Sequence, residues 1–250
     1  MYNRHFDPFN LFIDQETRTI LVLNPKVMTT TLRSIIKEGL GEFRSGRDSS
    51  NGKYKWWSKA RDFPIYYPQT YLNFHELSKY ECFSIVRHPF LRAWSAWKDK
   101  FYEPHLKGGA QHHYPRSMRQ GVLRDFRQFA KREGLNGSRA GELVPYKTFL
   151  QRIASQKTGQ RNHHRDTQTS VIQLHQFQFS RIYKYESDRE ELFQQVFSRI
   201  GFDEDWVLER VQNKLNFSPS LDNSFDEAEI QQMRVIYRDD LENFSYPLEV

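Results

Sequence analysis

Only one cysteine, Cys82, occurs in the 250 residues, so no intramolecular disulfide can tie the chain together. A chain without such ties suits a reducing compartment, and a cytoplasmic protein is the expectation, although a piece trimmed from an anchored protein would read the same. Long hydrophobic runs are missing too. The apolar stretches last a few residues, far short of the roughly 20 that a membrane span needs. The opening MYNRHFDPFNLF has no apolar segment of the signal-peptide kind. No repeat, low-complexity tract or linker interrupts the chain. Its length fits one α/β domain carrying insertions and can bury a substantial core.

Charge is short in one place and plentiful in another. The net charge is +6, yet residues 201–250 hold four Lys/Arg against twelve Asp/Glu. Residues 103–139 hold eight Lys/Arg against three Asp/Glu, a local +5. A basic body points to an anionic ligand or an anionic polymer, or to nothing more than a solvated basic surface.

Glycine is absent from the stretch that decides the reading. In LVLNPKVMTTTLRSII, Leu21 to Ile36, an apolar run stops at Asn24-Pro25, a lysine follows, then three threonines open an amphipathic segment. Thr19–Leu23 reads as a buried strand, and Thr29–Leu40 as a helix with Leu32, Ile35, Ile36 and Leu40 at helical spacing. A helix N-terminus offers unpaired N–H groups and the positive end of its dipole, a place for phosphate or sulfate. Lys26 adds a point charge and Thr29, Thr30 and Thr31 add hydroxyls. One threonine there is an ordinary cap, and three with Pro-Lys exceed what a cap needs. No glycine occurs from Asn24 to Leu32, so the pattern is not the GxxxxGK[ST] cradle of ATP and GTP sites.

A second segment, CFSIVRHPFLRAWSAWKDKF, runs from a buried strand (82–86) into a helix opening on Pro89 and reaching Phe101. Arg87 leaves the strand, and Ser95 stands on the helix, sharing a face with Arg92. An arginine fork and a serine can hold one phosphate from two sides. Further along, 122–132 and 145–155 read as helices, 181–185 as a strand, and 190–200 and 226–241 as helices. Strands alternating with helices imply a parallel sheet, with ligands beyond the carboxyl ends of its strands.

Together, PKVMTTT and IVRHPFLRAWSAWKDKF resemble the two nucleotide-binding segments of sulfotransferases that use 3′-phosphoadenylyl sulfate (PAPS). The nearest likeness is to the carbohydrate sulfotransferases of the chondroitin and heparan type, with patterns like PKVACTN and VRxPFxRxxSAxxxKF. Val86, Arg87, Pro89, Phe90, Arg92, Ser95, Ala96, Lys100 and Phe101 fall in place in the second pattern. In the first, Met28 stands where that group has a small residue. Asn162 to Gln168 with FSRIYKYESDREEL resembles the group's NxHWxPQ…YxxIGKYExLxxD stretch, and VIYRDDLENFSY resembles its ending.

The resemblance implies a single P-loop-like α/β domain over residues 1–250, with insertions about 41–68 and 103–160 on the acceptor side. It implies transfer of a sulfuryl group from PAPS to an acceptor hydroxyl, leaving adenosine 3′,5′-bisphosphate (PAP). Lys26, Val27, Met28, Thr29, Thr30 and Thr31 would hold the 5′-phosphosulfate, and Arg87 and Ser95 the 3′-phosphate. The base for the acceptor is His75 first, with Glu76 the runner-up and His163 and His164 the other candidates. Neutral imidazole suits that work near neutral pH. The chemistry requires no divalent metal, and the paired histidines lack the companions that zinc needs. Either Tyr183 or Tyr185 approaches the nucleotide, or both pack in the core.

For the acceptor, Arg124, Arg127 and Lys131 share a helix face that suits an anionic glycan. The aromatic stretch WWSKARDFPIYYPQTYLNF suits sugars, phenols or lipid chains equally, or serves as a hydrophobic flap. Three rival readings stand beside this one. A P-loop-type kinase would need ATP and magnesium. A nucleic-acid binder would lose affinity steeply with salt, though no nucleic-acid motif is present. A degenerate sulfotransferase would bind nucleotide without turnover.

Overall fold

The computed structural model describes residues 11–14, 16–43, 78–102, 116–159, 161–214 and 225–248. In chain order these form β1 (Leu11–Asp14), β2 (Thr19–Val22), α1 (Thr29–Phe43), β3 (Glu81–Val86) and α2 (Pro89–Trp97). Then come α3 (Arg116–Arg132), α4 (Tyr146–Ala154), α5 (Gln168–Val171), β4 (Phe179–Lys184), α6 (Arg189–Leu192), α7 (Glu204–Lys214), α8 (Glu227–Ile236) and α9 (Arg238–Asn243). The chain divides into two compact units. One takes Asn3–Arg87 and Gln168–Phe217, and the other takes His88–Thr167 and Ser218–Val250.

The first unit holds the sheet, in the order β1-β2-β3-β4. β2, β3 and β4 run parallel, and β1 lies antiparallel at the edge. This is the expected α/β class, a mostly parallel sheet flanked by helices. Phe12, Leu21, Leu23, Phe83, Ile85 and Tyr183 carry one face of the sheet. They pack with Leu32, Ile35 and Ile36 of α1 and with Val207 and Val211 of α7. The alternate residues Ile20, Val22, Cys82 and Val86 are buried as well. Strands buried on both faces have no polar alternation, which is why β2 and β3 read as mainly apolar runs, with Ser84 of β3 buried and bonded to the Val22 carbonyl. Gly39 of α1 admits no side chain, because a Cβ there would lie 2.5 Å from the Phe202 ring.

Several boundaries differ from expectation for local reasons. The four residues of β1, LFID, are all buried and too few to show a period. Neither β1 nor α7 was anticipated. The helix expected over 89–101 gives way after Trp97 to a wider π turn, Lys98–Tyr102. The one expected over 190–200 likewise becomes α6 and a π turn, Phe193–Phe197. The helix expected over 226–241 is two, α8 and α9, because Tyr237 leaves helical geometry at φ −115 and ψ 23. Among the described residues no helix is long and apolar enough to cross a membrane.

The second unit is built on aromatic packing between α2, α3, α4 and α8. Phe90, Trp97, Phe126, Tyr146, Phe149, Met233 and Tyr237 share its core. Phe126 and Phe149 stack with centroids 5.6 Å apart. Charged groups are buried here too. Arg92 is 1% exposed. It donates from Nη1 to the Asp166 carbonyl at 2.7 Å and from Nη2 to the His163 carbonyl at 2.8 Å. Arg161 donates to the carbonyls of Ile153, Gln156 and Ile236. The Asp166 carboxylate accepts from the N–H groups of Gly159 and Thr167. Guanidinium forks thus satisfy the backbone of a loop that has no regular partner of its own. Burial pulls Arg92 below its ordinary pKa, against the raising effect of Asp240, Tyr237 and Asp166. Burial pushes the Asp166 carboxyl up and the Tyr237 phenol up to about 12.

Candidate functional site

β2 hands the chain to Asn24, which is fully buried. The Asn24 carbonyl accepts the Val27 N–H at 3.0 Å and the Thr29 hydroxyl at 2.6 Å, closing a tight loop. The Val27 side chain sits in the core beneath that loop. On either side of it, Lys26 and Met28 take left-handed backbone conformations, φ 70 and 55. Such conformations cost a non-glycine residue roughly 1–3 kcal/mol each and persist only where the surroundings impose them. Here the two closures on the Asn24 carbonyl and the buried Val27 do so. Alternating backbone handedness turns N–H groups toward one concavity, a nest suited to an anion.

The nest runs straight into α1. Its first intrahelical bond joins the Leu32 N–H to the Met28 carbonyl at 2.9 Å. The N–H groups of Thr29, Thr30 and Thr31 therefore precede the helical ladder and have no acceptor within it. They open a helix of 15 residues, whose dipole adds positive potential at that end. Two of the expected donors are already spent. The Val27 N–H and the Thr29 hydroxyl both bond Asn24, so Thr29 offers its N–H and a lone pair rather than an O–H. Thr30 is exposed and Thr31 is nearly buried.

Two side-chain amides that sequence reasoning left without a role hold this end of the sheet in register. Gln168 is fully buried at the start of α5. Its Oε1 accepts the Arg87 N–H at 2.9 Å, and its Nε2 donates to the Arg87 carbonyl at 2.7 Å. The amide thus pairs with Arg87 as a further strand residue would. The same Oε1 accepts from Asn24 Nδ2 at 2.8 Å, and that nitrogen also donates to the Ile85 carbonyl at 3.2 Å. Just beyond the strands, the loop after β2 and the arginine after β3 are fixed to each other. The signal available beforehand was a polar amide placed just past a buried apolar run, at Asn24, and the terminal glutamine of the matched 162–168 stretch.

Arg87 itself lies with its guanidinium carbon 5.0 Å from the Tyr185 ring centroid. Its Nε is buried and has no hydrogen-bond partner among the described residues. A buried donor left unmet costs about 1–3 kcal/mol, a cost that an arriving oxyanion removes. Of the two tyrosines at the end of β4 and just past it, Tyr183 is in the core with its hydroxyl donating to Gln195 Oε1 at 2.9 Å. Tyr185 is half-buried beside Arg87.

A nest and a helix N-terminus follow β2, and an arginine follows the neighbouring parallel strand at the same end of the sheet. A family model described as the sulfotransferase family matches residues 10–247, nearly the whole chain. The chain belongs to the sulfotransferase family. Comparisons with curated proteins and with solved structures gave no match. Sulfuryl transfer is thus the general activity of the family to which the chain belongs.

The other expected site residues fall elsewhere. Ser95 is half-buried on α2 in the second unit, where its carbonyl accepts the Lys98 N–H. Its helix neighbour Arg92, placed beside it by spacing, is turned wholly into that unit's core. His163 and His164 occupy the loop that Arg92 holds, with ring centroids 4.2 Å apart. The His164 N–H donates to Asn162 Oδ1 at 3.1 Å. Arg124 and Lys131 are exposed on α3, whereas Arg127 leans toward the Glu142 carbonyl at 3.4 Å. Asp125 on the same helix pairs with Arg152 through both carboxylate oxygens. His75, Glu76, the aromatic stretch ahead of them and His112–His113 lie outside the described residues.

Proposed function

We propose that this sulfotransferase draws its sulfuryl group from PAPS and delivers it to a hydroxyl of a carbohydrate or related metabolite. The observation that carries the reading is the glycine-free nest, with Lys26 and Met28 left-handed directly ahead of the α1 N-terminus. PAPS, when bound, supplies the sulfuryl group and departs as PAP. Lys26 sets a positive charge against the leaving phosphate. The N–H groups from Met28 to Thr31 orient the 5′-phosphosulfate, and Arg87 takes the 3′-phosphate by its fork. Fixed donors of this kind act by positioning and by opposing charge that develops in transfer. Ser95 joins the 3′-phosphate on the likeness of its segment alone. His75 removes the acceptor proton, with Glu76, His163 and His164 as the alternatives.

Calorimetric titration of PAP into the metal-free protein, with ATP and 5′-AMP as controls, tests the donor. PAP should bind and 5′-AMP should be rejected. Arg87→Ala should weaken PAP roughly tenfold to hundredfold, the worth of a charge-assisted contact. Preference for ATP with magnesium would overturn the reading.

For the acceptor we propose an anionic glycan at the α3 face that carries Arg124 and Arg127. Their joint reversal to glutamate should raise the apparent KM for an anionic acceptor and leave PAP affinity unchanged. Loss of PAP affinity with an unchanged acceptor KM would remove this face from the site.

A further inference from the structure

Three arginines of the first unit lie over tyrosine rings on the stretch that begins with β4, and they differ in what balances their charge. Arg181, over Tyr183 at 4.7 Å, pairs with both carboxylate oxygens of Glu191. Arg87 and Arg189 both lie by Tyr185, at 5.0 Å and 5.6 Å from its centroid. Neither of these two has a carboxylate partner among the described residues. Two guanidinium groups therefore share one aromatic ring with no carboxylate of the described residues between them. An aromatic face attracts each cation but leaves their mutual repulsion in place.

Their position in the fold points to the kind of anion that they suit. β3 and β4 pair in parallel, with Val86 opposite Lys184, and the Tyr185 N–H continues the ladder to the Val86 carbonyl at 2.8 Å. Arg87 leaves β3 at that level, Tyr185 follows β4 there, and Arg189 opens α6 after the turn that comes next. The nest leaves β2 at the same end of the same sheet. Ligands of parallel sheets gather beyond these carboxyl ends. Arg189 stands in a stretch, YESDREEL, whose likeness to carbohydrate sulfotransferases fixes the tyrosine and the glutamate after it but not an arginine there.

We infer that Arg189 is a second guanidinium for the 3′-phosphate of the nucleotide, steadied with Arg87 on the Tyr185 ring. This rests on the PAPS reading above. The 3′-phosphate is dianionic, or nearly so, at neutral pH and matches two cations better than one. Arg189 thereby becomes a specificity residue: it discriminates nucleotides bearing the 3′-phosphate from those without it.

The test compares PAP, which carries the 3′-phosphate, with adenosine 5′-phosphosulfate, which lacks it and carries a 5′-sulfuryl group instead, on the full chain and on Arg189→Ala, Arg189→Lys and Arg87→Ala. Arg189→Ala should weaken PAP roughly tenfold to hundredfold and leave adenosine 5′-phosphosulfate unchanged. Arg189→Lys should recover part of the loss, since charge returns without the fork. Melting temperature should hold in both Arg189 variants, because no ion pair among the described residues is removed. Equal weakening of both ligands would take Arg189 off the 3′-phosphate. PAP affinity unchanged in Arg189→Ala but lost in Arg87→Ala would overturn this inference and spare the PAPS reading. Wild-type protein that binds neither ligand would overturn both.

Discussion

Gln168→Leu should destabilise the first unit by about 3–5 kcal/mol, since it strips partners from buried groups worth 1–3 kcal/mol each. The substitution keeps the volume and removes the amide. It leaves the Arg87 N–H and carbonyl without their acceptor and donor, and takes one of the two bonds from Asn24 Nδ2. PAP binding should fall even where the protein remains folded, because the loop after β2 and Arg87 lose their common anchor. Gln168→Glu should not rescue it. A glutamate restores the acceptor but places a charge in a fully buried position and still cannot donate to the Arg87 carbonyl. A urea midpoint and a PAP titration on the same samples check both parts. Wild-type values for Gln168→Leu in the two measurements would sink the idea that this amide sets the site.

Arg92→Met is expected to be equally damaging, and in a different way. It removes a guanidinium that two buried carbonyls depend on, at about 3–5 kcal/mol. The loss should appear as faster amide exchange and proteolysis across 161–167, where the His163 and Asp166 carbonyls are released. Arg92→Lys should do little better, since one compact ammonium cannot reproduce a fork that reaches two carbonyls. The position of Arg92 in the nucleotide-type segment invites a ligand role, which makes the opposite forecast: lost PAP affinity at unchanged stability. The two outcomes separate cleanly, and burial of Arg92 at 1% exposure favours the first.

How far the sequence could be read depended on whether a feature is local. β2, β3 and α1 were legible because continuous burial and helical spacing are written in residue type. The nest was legible as chemistry, a lysine and three threonines at a corner, but not as geometry. Nothing in the letters Lys-Val-Met announces φ values of 70 and 55, which arise because Val27 is anchored and Asn24 closes the loop. The Gln168 clamp joins positions 81 and 144 residues apart in sequence, so no window along the chain reveals it. The inward turn of Arg92 escapes sequence reading for a related reason. Spacing puts it on a helix face with Ser95 but cannot say which part of that face turns inward. The π turns at Lys98–Tyr102 and Phe193–Phe197 escape pattern reading because one extra residue in a turn leaves the apolar spacing nearly intact.

The solitary thiol noted at the outset sits on β3, 2% exposed and with burial pushing its pKa far up. Buried and protonated, it is inert toward alkylating reagents in the folded protein. A reagent can meet Cys82 only in the moments when the central strand comes away from its neighbours, so the rate of labelling becomes a clock for sheet opening. A ligand that binds only the closed sheet slows that clock in proportion to its occupancy. Any compound, acceptor or nucleotide, can thus be scored for engagement with the first unit by the mass of one adduct, without a turnover assay.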